Sequence, residues 1–298
     1  LNRFDRLPPD RPGRPASPEL AARRAGLTAA VAAGFGRLDP PPQTIDLAGI
    51  RALRFAPAGD PRASILHVHG GAFRIGCPEQ VAGFAAALAA RCGVEVICPA
   101  YRLAPEHPFP AGLRDVRAAL SALQRSGDRR IILSGDSAGG GLASGLAALA
   151  RRDDRPPIGL ALLSPWLDLT VSSADYVANA ATDPLFSAVS ASEASDLYLQ
   201  GLPRDDPLAS PLFGDVAGFP PSFVSVGSGE VLLGDARGFV DRLHAGGVPA
   251  ELSIVPGMEH VAVTRDRALT GAAETFDRLA DFVDRLATTC DRASNTTS

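Results

Sequence analysis

The residue best placed for chemistry in this 298-residue chain is Ser137, in the run Gly135-Asp136-Ser137-Ala138-Gly139-Gly140. The apolar run Arg130 to Ser134 precedes it and a helix-like stretch, Gly141 to Ala150, follows. A G-x-S-x-G run between a strand and a helix describes a nucleophile elbow, a tight and strained turn that lifts the serine hydroxyl above the strand ends. Side chains two residues to either side would collide in such a turn, hence glycine at 135 and 139. The turn also sets Ser137 at a helix N-terminus, where free N–H groups and the dipole favour the negative charge that develops during attack. Taken alone, the same letters also spell an ordinary glycine turn with an idle serine.

A second run, His69-Gly70-Gly71-Ala72-Phe73, directly follows the strand-like Ser64 to Val68. Stabilising a developing oxyanion requires backbone N–H groups that converge on one point, and glycine lets the main chain come close to a substrate without a Cβ in the way. The candidate donors are Gly70, Gly71 and Ala72 here and Ala138 after the serine. The two runs stand in the order that an acyl-transfer site needs, strand-loop oxyanion donors first and elbow second.

Together with Tyr101-Arg102-Leu103-Ala104-Pro105-Glu106-His107-Pro108-Phe109-Pro110-Ala111, these runs resemble the hormone-sensitive-lipase family of α/β hydrolases. The likeness continues through Asp206-Pro207-Leu208-Ala209-Ser210-Pro211-Leu212, Pro220-Pro221, Gly227-Ser228-Gly229-Glu230-Val231-Leu232-Leu233 and Met258-Glu259-His260-Val261, spanning residues 60 to 265. Glu230 where most members have aspartate, with Met258 and Val261 beside the histidine, is similar to a bacterial branch of acetylhydrolases and lactone hydrolases. The resemblance implies hydrolysis of small, short-acyl esters through an acyl-enzyme, with no cofactor and no metal. Ala72 departs from the family by replacing a third glycine of the oxyanion loop; its N–H survives, but its methyl reduces the room beside the acyl group.

The chain order of this fold, serine then acid then histidine, leaves only His244 and His260 late enough to serve as the base. His260 follows the strand-like Glu251 to Val255 and a loop containing Gly257, which can deliver an imidazole over the sheet. His244 falls in the helix-like Val231 to Ala245 and reads as a surface residue. His67 and His69 read as buried supports and His107 as part of a proline-rich turn. For the acid, Glu230 sits in a Gly-flanked loop after the strand-like Ser222 to Val226, while its competitor Asp235 lies a turn further on and reads as a helix-surface acid. Asp136 is expected to hold the loop by hydrogen bonds. Phe73, Asp136 and Trp166 are the candidates for the walls of a substrate pocket. Asp168 and Asp183 have no assigned chemistry.

The elements that must position these residues are short apolar runs separated by helix-like stretches: Ser64 to His69, Val94 to Cys98, Arg130 to Ser134, Ile158 to Ser164, Ser222 to Val226 and Ala250 to Val255. That rhythm implies right-handed crossovers and an α/β fold with a mostly parallel central sheet and helices on both faces. Thr44 to Phe55 reads as a hairpin ahead of it. The rhythm breaks only between Leu167 and Phe219. We expect a single domain over residues 1–298, with a small helical cap made by that excursion and residues 1 to 40. Within the latter, an irregular arm precedes a helix capped by Ser17-Pro18-Glu19 and presenting Leu20, Leu27, Val31 and Phe35 on one apolar face.

Composition fits this picture: 46% hydrophobic and 21% charged residues are ordinary for a globular chain that folds alone. A net charge of −4, with 29 basic residues all arginine and dispersed, disfavours nucleic acid as a partner. Cys77, Cys92, Cys98 and Cys290 show no metal-like spacing and read as reduced thiols. The start lacks a signal-peptide core and no apolar run spans a membrane, so the expected location is cytoplasmic, with a small ester as the partner and a homodimer compatible with the reading. A lactone hydrolase would use the same residues. A non-catalytic ligand receptor on this fold would have lost a member of the serine-acid-histidine set, and none is lost.

Overall fold

The central strands carry apolar residues at successive positions rather than alternate ones, the pattern of a sheet buried on both sides. The computed structural model describes residues 7–35, 38–127 and 130–289. Its strands are β1 (Gln43–Leu47), β2 (Ile50–Phe55), β3 (Ser64–Val68), β4 (Glu95–Pro99), β5 (Ile131–Asp136), β6 (Gly159–Leu163), β7 (Ser222–Gly227) and β8 (Ala250–Val255). They form one sheet in the order β1-β2-β4-β3-β5-β6-β7-β8. The hairpin β1–β2 and the β2–β4 pair are antiparallel, and every later pairing is parallel.

Side chains alternate across the sheet and feed two separate cores. Leu66, Val68, Ile131, Leu133, Leu160, Leu162 and Val224 face one side, where they meet α3 (Ala111–Ser126), α4 (Ala138–Ala150) and α7 (Leu233–Ala245). Ile65, Val96, Ile132, Ala161, Leu163 and Phe223 face the other, against α2 (Ala82–Cys92), α8 (Ala262–Arg265) and α9 (Ala272–Thr289). The expected mostly parallel sheet with helices on both faces is therefore what the chain forms. The loops that carry the candidate site leave the C-terminal ends of β3, β5, β7 and β8, where open α/β sheets hold their ligands.

Two further regions lie beside those loops. Between β6 and β7 the chain makes its excursion, with α5 (Asp175–Ala178) and α6 (Ala188–Leu199), and contributes Leu167, Leu169, Tyr176, Phe186, Tyr198 and Leu208 to the first core. Helix α1 (Pro18–Phe35) is capped as expected, Ser17 Oγ accepting the N–H of Leu20 at 3.2 Å. Its apolar face is weaker than expected: Leu20 is buried, but Leu27 and Val31 are only half-buried. What ties the helix down is polar. Arg24 donates to the carbonyls of Arg74 and Ala104 and forks onto Glu106. The side chain of Phe35, residues 1–6 of the irregular arm, Cys290 and the tail after it lie outside the described residues. Cys77, Cys92 and Cys98 are free thiols. Among the described residues no helix is long and apolar enough to cross a membrane.

Candidate active site

The turn after β5 forces Ser137 into φ +53°, ψ −123°, a backbone state that L-residues rarely adopt and that costs of order 1–3 kcal/mol. It is held there from both sides: Ser137 N–H donates to Leu163 O at 2.9 Å, and Ser137 O accepts from Gly140 and Trp166. A Cβ on Gly135 would sit 2.3 Å from Gly139 O, and one on Gly139 would sit 2.0 Å from Val68 O. Glycine at both positions is thus a steric requirement of the elbow, as expected.

Over this serine the loop after β8 brings His260, whose Nε2 is 2.9 Å from Ser137 Oγ. The other ring nitrogen, Nδ1, is 2.7 Å from Glu230 Oε2. With the Nδ1 proton directed at the carboxylate, Nε2 remains the acceptor for the serine hydroxyl. The second oxygen of Glu230 accepts from Ser164 Oγ at 2.8 Å and from the N–H of Gly227 at 2.5 Å. Ser164 Oγ in turn accepts from the N–H of Val261 at 3.2 Å, so one hydroxyl at the end of β6 pins both the acid and the histidine loop. All three side chains of the Ser137–His260–Glu230 chain are buried. Burial pushes the imidazolium of His260 towards deprotonation, but the hydrogen bond and charge of Glu230, with Asp183 and Asp136 behind it, outweigh that and raise its pKa above the ordinary value of 6.5.

The loop after β3 turns through three successive positive φ angles, +118° at Gly71, +51° at Ala72 and +61° at Phe73. Successive N–H groups in a tight turn can make an anion-binding concavity. Ala138 opens α4, so its N–H belongs to the first turn, which lacks partners within the helix. Gly70 is a correction to the expected donor set: its N–H is already given to Asp136 Oδ1 at 3.0 Å. The same Oδ1 of Asp136 lies 3.2 Å from His67 Nε2, and His67 Nδ1 lies 2.9 Å from Ser134 Oγ, so that oxygen joins the loop to β3 and β5. The Asp136 carboxylate therefore braces the loop from behind. His69 supports it from the other end: Nδ1 donates to Gly70 O, and the ring stacks on Tyr101 at 4.4 Å. Burial drives the His69 pKa to about 4, so the ring is neutral at physiological pH.

Beside the serine stands an aromatic cluster. Phe73 stacks on Tyr198 at 3.9 Å and tilts against Trp166 at 5.4 Å, while Phe186 meets Trp166 edge-on and lies parallel to the His260 ring at 5.7 Å. Trp166 is entirely buried and its Nε1 donates to Asp168 O, which packs it beneath the excursion. Asp235 overturns its sequence reading. It is fully buried rather than on a helix surface, and its Oδ2 accepts the N–H groups of Leu167 and Asp168, anchoring the start of the excursion. Desolvation, opposed by those two hydrogen bonds, pushes its pKa up to about 8. His244 and His107 are exposed, away from this cluster. Sequence reasoning gives Asp183 no role and overlooks Ser164, for which a polar residue closing an apolar strand is the available signal.

Comparisons with known proteins bear on the fold and the activity. A family model described as the α/β hydrolase fold matches residues 65–264. An acetyl-hydrolase of Streptomyces hygroscopicus is 36% identical over 233 residues, covering 76% of this chain and 77% of its own. An esterase of Acinetobacter venetianus is 36% identical over 218 residues, covering 72% of each chain. Among solved structures, a hormone-sensitive lipase from a metagenome library is 35% identical with a TM-score of 0.86, covering 92% of this chain and 93% of its own.

Proposed function

The chain belongs to the hormone-sensitive-lipase family of α/β hydrolases and is a carboxylic ester hydrolase; we propose that it cleaves small, short-acyl esters through an acyl-enzyme on Ser137. The observation that carries this reading is the buried relay from Ser137 Oγ to His260 Nε2 at 2.9 Å and from Nδ1 to Glu230 at 2.7 Å. Ser137 Oγ attacks the ester carbonyl as its proton passes to His260 Nε2, and the carbonyl electrons move to oxygen. The N–H groups of Gly71, Ala72 and Ala138 receive that oxyanion. On collapse the C–O bond to the alcohol breaks and His260 returns the proton to the leaving oxygen. Water, deprotonated by the same imidazole, then releases the acid and restores the serine. Glu230 holds the imidazole in the working tautomer and stabilises the imidazolium.

This mechanism fixes a pH dependence. Only neutral His260 accepts the serine proton, and its pKa is raised above 6.5. The kcat/KM for a short ester should therefore climb with rising pH through a midpoint above 6.5 and then level off. A profile flat between about pH 5 and 8 would assign the proton transfer to another group.

The excursion at 167–219 and the N-terminal segment to residue 40 act as the cap in this proposal, and they account for short acyl groups. Phe73, Trp166 and Tyr198 are packed and buried, Phe186 covers the imidazole, and Ala72 adds a methyl to the oxyanion loop. A relative of 36% identity is named an acetyl-hydrolase, consistent with this preference. With p-nitrophenyl esters of increasing length, kcat/KM should peak at acetate to butyrate and fall by octanoate. A maximum at octanoate or beyond contradicts the proposed pocket.

A further inference from the structure

Glu230 stands in a loop, residues 228–232, between β7 and α7, with no ladder to fix it. Main-chain bonds hold part of it, Ser228 N–H donating to Val255 O and Glu230 N–H to Gly227 O, and side chains of the excursion hold the rest. Asn179 Nδ2 donates to Glu230 O at 2.8 Å and reaches Ser228 O at 3.4 Å. Thr182 Oγ1 donates to Gly229 O at 2.9 Å. The buried carboxylate of Asp183 accepts the N–H of Val231 on Oδ2 at 3.0 Å. Its other oxygen accepts the N–H groups of Leu185 and Phe186 at 3.1 and 3.0 Å. Asp183 thus grips, with one oxygen each, the loop that carries the acid and the backbone of the ring that lies on His260.

We propose that Asn179–Phe186 is a positioning clamp for the hydrolytic reaction, with Asp183 as the residue that joins the acid loop to the ring covering the base. The inference rests on the Ser137–His260–Glu230 reading and extends it. Glu230 must place its carboxylate against Nδ1 while satisfying Ser164 and Gly227, so a small displacement of its backbone breaks a contact on one side. Misplacements of about 1 Å at a reacting group can cost on the order of 10²-fold in rate. The carboxylate of Asp183 links the backbone of the ring that lies on His260 to the loop of the acid that orients it. Glu230, Asp183 and Asp136 are the charged groups acting on His260, so Asp183 also contributes through its charge.

The test uses the full chain and two variants that loosen the acid loop, one with and one without a change of charge. In Asp183→Asn the remaining oxygen best serves the paired N–H groups of Leu185 and Phe186, leaving Val231 without its acceptor and removing the negative charge. We expect kcat to fall roughly 10- to 10²-fold with KM little changed, and the His260 imidazole titration, followed by NMR, to move down. Asn179→Ala, at a half-buried position, removes only hydrogen bonds to the acid loop; it should lower kcat while leaving the His260 titration in place. Wild-type kcat in both variants, with unaltered His260 titration, overturns the clamp. Should Ser137→Ala remain active in the same assays, the serine reading itself fails and the clamp with it; an inactive Ser137→Ala beside wild-type-like clamp variants sinks the clamp alone.

Discussion

Ser137→Ala is expected to remove ester hydrolysis almost completely, by roughly 10⁴- to 10⁶-fold in kcat, while the protein folds as before. The structural duties of residue 137 are carried by its main chain: the N–H held by Leu163, the carbonyl held by Gly140 and Trp166, and the strained φ of +53°. Alanine adopts that backbone no less readily than serine, and among the described residues the hydroxyl's hydrogen bond is to His260. The change therefore removes the nucleophile and leaves the elbow. Thermal unfolding should match wild type within a few degrees. Activity within tenfold of wild type in a folded Ser137→Ala protein would contradict the assignment.

The second large effect belongs to Glu230. Glu230→Ala should cost on the order of 10²–10⁴ in kcat, the range for a residue that fixes the tautomer of the base and stabilises its cation. Glu230→Asp keeps the charge but is shorter by a methylene. The glutamate already spans three partners, His260 Nδ1, Ser164 Oγ and Gly227 N. An aspartate on the same backbone must give up part of that set, and we expect it to lose a large share of kcat as well. Asp235 sharpens the comparison, because its Oδ2 accepts the N–H groups of Leu167 and Asp168, whereas the histidine's Nδ1 is taken by Glu230. Asp235→Ala should lower stability by leaving two buried donors unpaired, about 1–3 kcal/mol for each, yet retain turnover per folded molecule. A large kcat loss at Asp235 with a small one at Glu230 would reverse the roles.

Much of this was legible in the sequence because glycine and strand ends are local signals. Gly135 and Gly139 announce a turn that only they permit, and the clashes at 2.3 and 2.0 Å show why. The alternation of apolar runs and helices sufficed for the sheet, since its central strands are buried on both faces. The misreadings share a different cause. Asp235 occupies a helical position that periodicity leaves to solvent, yet the excursion folds over it and turns a surface site into a buried acceptor. Helix α1 looked apolar by spacing, but Arg24 reaches three backbone and carboxylate partners that no window of sequence reveals. The motif groups the glycines and so puts Gly70 among the oxyanion donors; only the position of Asp136, 66 residues away, shows that its N–H is engaged. Asp183 and Ser164 act across similarly long separations. Local composition carries the elements and the nucleophile, whereas the supports that aim them depend on chain crossings.

The most direct measurement is covalent capture of the nucleophile. Wild-type protein incubated with a small alkyl phosphonofluoridate should gain one phosphonyl mass per chain, lose its esterase activity in parallel, and yield the adduct on the peptide containing Ser137. The Ser137→Ala protein, folded and treated identically, should gain none. Stoichiometric labelling mapped to another residue, or loss of activity without an adduct at Ser137, would contradict the proposal that this serine carries the acyl group.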